Sequence, residues 1–291
     1  MKIWHQLIIN NCDKDELDLV SEYLEESGAL SISLNDKNDD PVLEPAPGTT
    51  PLWPEVVITA LFAEESSAEH CRQFLLKAYP FLRIETESLP EQDWERCWMD
   101  DFKPQQFGKK LWICPSWCEP PDKQAVNLTL DPGLAFGSGT HPTTSLCLHW
   151  LDEQALNGKT LIDYGCGSGI LALAALKLGA RYAYAVDIDE QALTATENNR
   201  INNDIDSALI SISQAEALET KVDILVANIL LGPLLSLMER FMQLLKDKGQ
   251  LVISGILEEQ MEDLIDAYDK HFKLLDKKTI EGWGLLVLEK R

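Results

Sequence analysis

The sequence predicts a two-part α/β chain: a mostly parallel sheet with helices on both faces and an antiparallel last strand, preceded by a small α+β domain. Three observations predict it. From residue 160 onward, short apolar runs alternate with helical patterns, which means a parallel sheet with right-handed crossovers. The last two runs, 273–280 and 283–289, flank Glu281-Gly282, a hairpin-like turn that reverses the final strand. Residues 3–89 read strand, helix, strand, strand, helix, strand, the order of the ferredoxin-like split unit.

In the small domain, 1–89, the run IWHQLII at 3–9 reads as a strand. Asp13 is the expected N-cap of a helix through 27, with Leu17, Val20 and Leu24 at helical spacing and Gly28 as its stop. Residues 29–34 alternate as a second strand, and the acidic, proline-rich 36–54 reads as a surface loop. A third strand at 56–62, a helix at 64–79 and a fourth strand at 81–89 complete the unit. It carries no catalytic constellation, so its expected role is to hold a partner.

Residues 90–108 are the expected linker. Trp94, Trp98 and Phe102 are each four apart in 91–102, a helical stripe expected to pack, and 103–108 (KPQQFG) breaks the helix. The larger domain, 109–291, opens with strands at 111–114 and 126–130. Next comes 131–144, DPGLAFGSGTHPTT; a long loop rich in Gly, Pro and hydroxyl residues inside a compact domain is usually functional. Thr143, Thr144 or Ser145 is the expected cap of a helix to about 156, with Leu146, Trp150 and Leu151 facing inward. The regular alternation follows: strand 160–164, helix 170–178 stopped by Gly179, strand 182–186 ending at Asp187, and helix 190–202 capped by Asp189. Strands at 209–212 and 222–226, a helix at 231–245, a strand at 249–255 and a helix at 258–271 lead to the closing pair.

The chain has 291 residues, 45% hydrophobic and 25% charged, as a globular protein of one large or two ordinary domains should be. No apolar run approaches the roughly 20 residues needed to cross a bilayer. The N-terminal segment has no apolar h-region of a signal peptide, so a cytosolic location is expected. The net charge of −23 repels a phosphate backbone and favours a basic partner over duplex DNA or bare RNA. A monomer is expected. The seven cysteines form no C-x-x-C pair, which fits neither a zinc site nor a disulfide framework; they read as buried thiols, and Cys166 as a small filler rather than a nucleophile.

Chemistry concentrates at the carboxyl ends of the strands, where ligands of open α/β sheets bind. Gly165-x-Gly167-x-Gly169 joins a strand to a helix N-terminus, where backbone without Cβ lies close to a ligand. Asp187 lies roughly 20 residues beyond that turn, where a carboxylate bonds ribose hydroxyls; NAD and S-adenosylmethionine both carry that ribose. Asn228 discriminates further. A neutral amide there accepts a hydrogen bond from a neutral amine and aims its lone pair, whereas a carboxylate would favour the unreactive ammonium.

The run Asp163-x-Gly165-x-Gly167-x-Gly169 resembles motif I of the class I S-adenosylmethionine-dependent methyltransferases, and it is one residue shorter than the dinucleotide fingerprint G-x-G-x-x-G. Val226-Ala227-Asn228-Ile229-Leu230 is similar to the (D/N)-P-P-Y element of amino-group methyltransferases, without its prolines and its aromatic. That departure counts against a flipped-base substrate. Together with Phe136-Gly137-Ser138-Gly139-Thr140-His141-Pro142-Thr143-Thr144, these motifs resemble the bacterial methyltransferases of large-subunit ribosomal protein eleven, over essentially the whole chain. The family's loop more often has Thr where this chain has Ser138, which keeps the hydroxyl.

The resemblance implies a class I methyltransferase sheet and transfer of methyl groups from S-adenosylmethionine to the ribosomal protein's α-amine and lysine ε-amines, up to trimethylation. It also implies an N-terminal domain that grips the substrate. By position, Thr144, Gly165, Asp187 and Asn228 would contact the cofactor, with Gly167 and Gly169 in the same turn and Asn228 carrying the catalysis. His141, Phe102 and Phe107 are substrate-side candidates: His141 as the one general base in reach, not assigned that role, and the phenylalanines as cation–π partners of a methylated ammonium. The alternatives are an NAD(P)-dependent oxidoreductase, a methyltransferase of another basic protein, and a non-catalytic scaffold.

Overall fold

Strict alternation builds the first sheet. In β3 (Val56–Phe62) every second side chain from Val56 to Phe62 is buried, and those between are half-buried. It pairs antiparallel with β1 (Ile3–Asn10) and β2 (Ser31–Asp36), and β1 pairs antiparallel with β4 (Arg83–Pro90), giving the order β2-β3-β1-β4. The helices α1 (Leu17–Glu26) and α2 (Glu65–Ala78) bury Val20, Leu24 and Leu75 against Leu7, Ile9, Ile58 and Phe62. This is the ferredoxin-like order that the sequence predicts. The entry to α1 differs: Asp13 makes no side-chain cap bond, and a 3-10 turn, Lys14–Glu16, delays the α-helix to Leu17.

The structure, a computed structural model, describes residues 3–38, 52–90, 102–131 and 139–291. Most of the 36–54 loop, the linker helix with Trp94 and Trp98, and Phe136, Gly137 and Ser138 lie outside the described residues. The chain divides into two units, Met1–Asp100 and Asp101–Arg291.

The second unit begins with a strand that the sequence reading places in a break: β5 (Gln105–Phe107) pairs antiparallel with β6 (Leu111–Cys114), which pairs parallel with β7 (Val126–Thr129). Its short sequence carries no periodicity; the pairing is fixed from outside by Asp152. That carboxylate, 2% exposed, accepts from the backbone N–H groups of Lys109, Lys110 and Leu111 at 2.7, 3.0 and 3.0 Å.

The main sheet has seven strands: β8 (Thr160–Tyr164), β9 (Tyr182–Asp187), β10 (Ile210–Gln214), β11 (Val222–Asn228), β12 (Leu245–Leu257), β13 (Phe272–Ile280) and β14 (Trp283–Lys290). Their order is β10-β9-β8-β11-β12-β14-β13, and β14 alone runs against its neighbours. This is the predicted class I methyltransferase sheet. Adjacent strand residues face opposite sides, so Leu161, Val226, Val252 and Leu285 pack under α3 (Pro142–Glu153) and α4 (Ile170–Lys177). Ile162, Leu225, Ile253 and Leu286 pack under α6 (Leu231–Leu244) and α7 (Met261–Tyr268). The remaining helix, α5 (Glu190–Asn202), starts at Asp189, whose carboxylate accepts from Gln191 N–H at 2.9 Å. Two ends move: β12 is longer than expected, and α7 stops at Tyr268, whose hydroxyl donates to Leu234 C=O at 2.6 Å.

Candidate functional site at the carboxyl ends of the strands

The register puts the predicted residues side by side. Tyr164 of β8 pairs with Val186 of β9 and with Ala227 of β11. The next residues, Gly165, Asp187 and Asn228, therefore sit at one level on three adjacent strands. The chain runs outward from β8 through β9 to β10 and then returns to β11 on the other side of β8. The three residues thus flank the point where strand order reverses, the place at which open α/β sheets bind ligands.

The turn needs its glycines. Gly165, Gly167 and Gly169 have φ of +77°, +53° and +78°, in the left-handed region that side chains disfavour. Space forbids a Cβ as well: one at Gly165 would strike Ile229 Cγ2, and one at Gly169 would lie 2.6 Å from Thr196 Cγ2. Asp187 holds the turn, accepting from Gly167 N–H at 2.9 Å on Oδ2 and from Ile188 and Asp189 N–H at 2.8 and 3.1 Å on Oδ1. Oδ1 is filled by its two N–H bonds, and Oδ2 keeps acceptor capacity for a ribose hydroxyl.

Asn228 Nδ2 donates to Thr144 Oγ1 at 3.3 Å, which fixes which end of the amide is the acceptor, Oδ1. Thr144 is 1% exposed on the first turn of α3. The expected cap of that helix is corrected. It is His141, whose Nδ1 accepts from Thr143 N–H at 3.3 Å and lies 2.7 Å from Thr143 Oγ1. Pro142 at the first helical position dictates this: it places the N-cap one residue upstream and needs no partner for an N–H. Burial lowers the His141 pKa, against an opposing pull from Glu281.

The aromatic candidates separate. Phe107 is 4% exposed in the core of the second unit and packs edge-to-face on His149, centroids 5.6 Å apart. It offers no open face to an ammonium, so the substrate-side expectation for Phe107 is corrected. Phe102 is half-buried just before β5.

Three residues that support the site are not legible as such in the sequence. Thr196 Oγ1 donates to Gly167 C=O at 3.0 Å and Asn199 Nδ2 to Ser168 C=O at 2.8 Å, so one face of α5 takes the turn's carbonyls. Gly255, φ +83°, lets β12 pass against the Ile229 backbone. Asp163 appears in the motif without a role; 1% exposed, it accepts from Ala172 N–H at 3.0 Å and ties β8 to α4. Burial pushes its pKa up to about 7, opposed by that N–H and helped by Asp187. Burial also raises the Cys166 thiol, which sits 3.4 Å from Thr196 Oγ1. That is a poor nucleophile.

The arrangement is a glycine cradle, a carboxylate on the adjacent strand and an oriented neutral amide, with the reversed β14 that an all-parallel dinucleotide fold lacks. It suits positioning of a nucleoside cofactor and an amine rather than acid–base relay. Comparison with known proteins agrees. The family model "Ribosomal protein L11 methyltransferase (PrmA)" matches residues 3–291. The ribosomal protein L11 methyltransferase of Legionella pneumophila (strain Corby) is 59% identical over 285 residues, covering 98% of this chain and 99% of that one. That of Haemophilus influenzae (strain PittEE) is 48% identical over 286 residues, covering 96% of each. The crystal structure of ribosomal protein L11 methylase from Lactobacillus delbrueckii subsp. bulgaricus superposes with a TM-score of 0.60 at 33% identity, covering 65% of this chain and all of that one. With its motifs in register at the switch point and its whole length matched, the chain belongs to the ribosomal protein L11 methyltransferase family.

Proposed function

We propose that this chain transfers methyl groups from S-adenosylmethionine to the N-terminal α-amine and lysine ε-amines of ribosomal protein L11, up to trimethylation, as a cytoplasmic monomer. The observation that carries this reading is the Asn228 amide, held by Thr144 beside the glycine cradle. The N-terminal unit, a separate fold without site residues, is assigned to gripping the substrate protein. The acidic charge of −23 supports a basic protein partner rather than nucleic acid, and it opposes self-association.

The residues present fit the cofactor. Gly165 to Gly169 form a cradle that a Cβ would fill, and Asp187 keeps a lone pair on Oδ2 for a ribose hydroxyl. When bound, S-adenosylmethionine supplies a methyl group activated by its sulfonium. The chain's task is to present an amine in line with it. A lysine of pKa about 10.4 is only of order a thousandth neutral near pH 7, and an α-amine of pKa about 8 is about a tenth neutral. Asn228 Oδ1 accepts from the neutral amine without the charge that would stabilise the ammonium. His141 Nδ1 is engaged by Thr143, so the proton is assigned to water rather than to a side-chain base.

Methyl incorporation into ribosomal protein L11, read by mass spectrometry, tests the reading. Asn228→Ala is expected to lose about a hundredfold in rate, the cost of a misplaced reactant. Near-normal transfer by that variant would remove Asn228 from the mechanism.

A further inference from the structure

Phe107, buried in the core, is no partner for the methylated ammonium, and the sheet supplies an aromatic at another place. Asn228 lies on the same face of the sheet as Val226, the face under α3. Trp283 lies on that same face, since it alternates with Leu285 and Val287 of the same core. Both stand at the carboxyl end of the sheet, separated by β12: Asn228 pairs with Ser254, and Trp283 with Leu257. Two strand spacings across the sheet and two to three residues along it put their backbones roughly 12 Å apart. The lengths of the two side chains, a hydrogen bond of about 3 Å to Asn228 and the reach of about 6 Å from a cation to a ring centroid together span that gap.

The floor between them is small: Ser254, fully buried, turns its hydroxyl to Gly284 C=O at 2.8 Å. One wall is the start of α3, where Thr144 holds Asn228 and the His141 ring meets Trp283 at 70°, centroids 4.7 Å apart. Trp283 is itself half-buried, so part of the indole stays open. Glu281, two residues before it, is exposed and close enough to His141 to act on it electrostatically. An indole, a neighbouring carboxylate and a neutral imidazole together favour a cation and repel none.

The geometry points to Trp283 as the residue that binds the mono-, di- and trimethylated ammonium beside Asn228, with His141 bracing the ring and Glu281 adding negative potential. The ligand class is a methylated alkylammonium. Such a site retains the partly methylated amine for the next transfer. This inference rests on the methyltransferase reading of the same pocket and assigns the part of it that decides how far methylation proceeds.

The test uses the full enzyme with S-adenosylhomocysteine and two peptides: one carrying trimethyl-lysine, the other its carbon isostere with tert-butyl in place of trimethylammonium. The wild type is expected to prefer the cation by about two- to thirty-fold, which is what cation–π energies convert to at about 1.4 kcal/mol per tenfold. Trp283→Leu should bring the ratio to about one, and Trp283→Phe should keep part of it. A merely structural role would weaken both peptides alike and leave the ratio unchanged. An unchanged ratio in Trp283→Leu, or no preference in the wild type, overturns the proposal. A wild type that prefers the cation but never methylates ribosomal protein L11 would overturn the substrate reading and leave this site standing.

Discussion

Thr144 and Asn228, 84 residues apart, meet through one hydrogen bond of 3.3 Å from the Asn228 amide to the Thr144 hydroxyl. Thr144 is buried on the first turn of α3, and Asn228 ends β11, so the bond ties the helix start to the carboxyl edge of the sheet. Thr144→Val keeps the shape and removes the acceptor. Single-turnover methylation should fall about tenfold or more, because the amide then turns and a half-buried N–H loses its partner. Thr144→Ser should recover most of the rate. Equal rates in the Val and Ser variants would mean that the hydroxyl does not orient Asn228.

Asn228→Asp tests neutrality rather than shape. A carboxylate beside the amine favours the ammonium, so the neutral form appears only at higher pH. The rate at pH 7 should drop, and the pH–rate profile for a lysine substrate should move upward. A profile that falls in height without moving would show that charge at 228 is not the issue.

Gly169 and Thr196 are coupled by space. A Cβ at 169 would lie 2.6 Å from Thr196 Cγ2 and 2.8 Å from its Oγ1. Gly169→Ala should cost about 2–4 kcal/mol in urea unfolding, from left-handed strain plus the clash. In a Gly169→Ala/Thr196→Ala pair the clash is gone while the strain stays. The double variant should therefore be more stable than the sum of the singles by about 1 kcal/mol or more. Strict additivity would place all of the cost in the backbone.

What could be read in the sequence was whatever repeats or sits in a local pattern. The glycine spacing, the Asp189 cap and the alternation of β3 are local, and the elements appear where those patterns put them. What could not be read depends on a distant partner. Thr196 and Asn199 look like two polar residues of an unremarkable helix until the turn at 165–169, about thirty residues earlier, is laid against them. β5 exists because Asp152 collects three N–H groups some forty residues upstream. Phe107 is buried for the same reason: its strand is pinned to the core by that carboxylate. His141 escaped as a cap because imidazole is an uncommon N-cap, although Pro142 after it was a usable signal.

Asp187 and Asp163 should respond in opposite ways to the same change. Asp187 uses both oxygens as acceptors, from Gly167 on one side and from Ile188 and Asp189 on the other. In Asp187→Asn one position becomes an NH2 that faces an N–H whichever way the amide turns. The turn should loosen, with S-adenosylhomocysteine affinity by calorimetry falling about tenfold or more. Unchanged affinity would mean that the turn holds its shape without the carboxylate.

Asp163 accepts from Ala172 N–H on Oδ2, and an asparagine oxygen can take that bond. Its buried carboxyl has a pKa raised to about 7, against an ordinary value of 3.8 for the unfolded chain. Between those values the native state holds a proton that the unfolded chain has lost, so stability falls as pH rises through that window. The contribution is fully present below about pH 4 and lost above about pH 7. The groups around it do not reverse the sign: Cys147 and Cys166 are thiols raised by burial, and Asp187 is a second carboxylate. Asp163→Asn removes the titration and keeps the bond. Urea unfolding of both proteins at pH 5, 6, 7 and 8 should therefore show the variant gaining on the wild type by a few kcal/mol across the series, with the difference levelling off above pH 7. Parallel curves would mean that Asp163 is ionised in the folded protein throughout, and that the Ala172 N–H outweighs its burial.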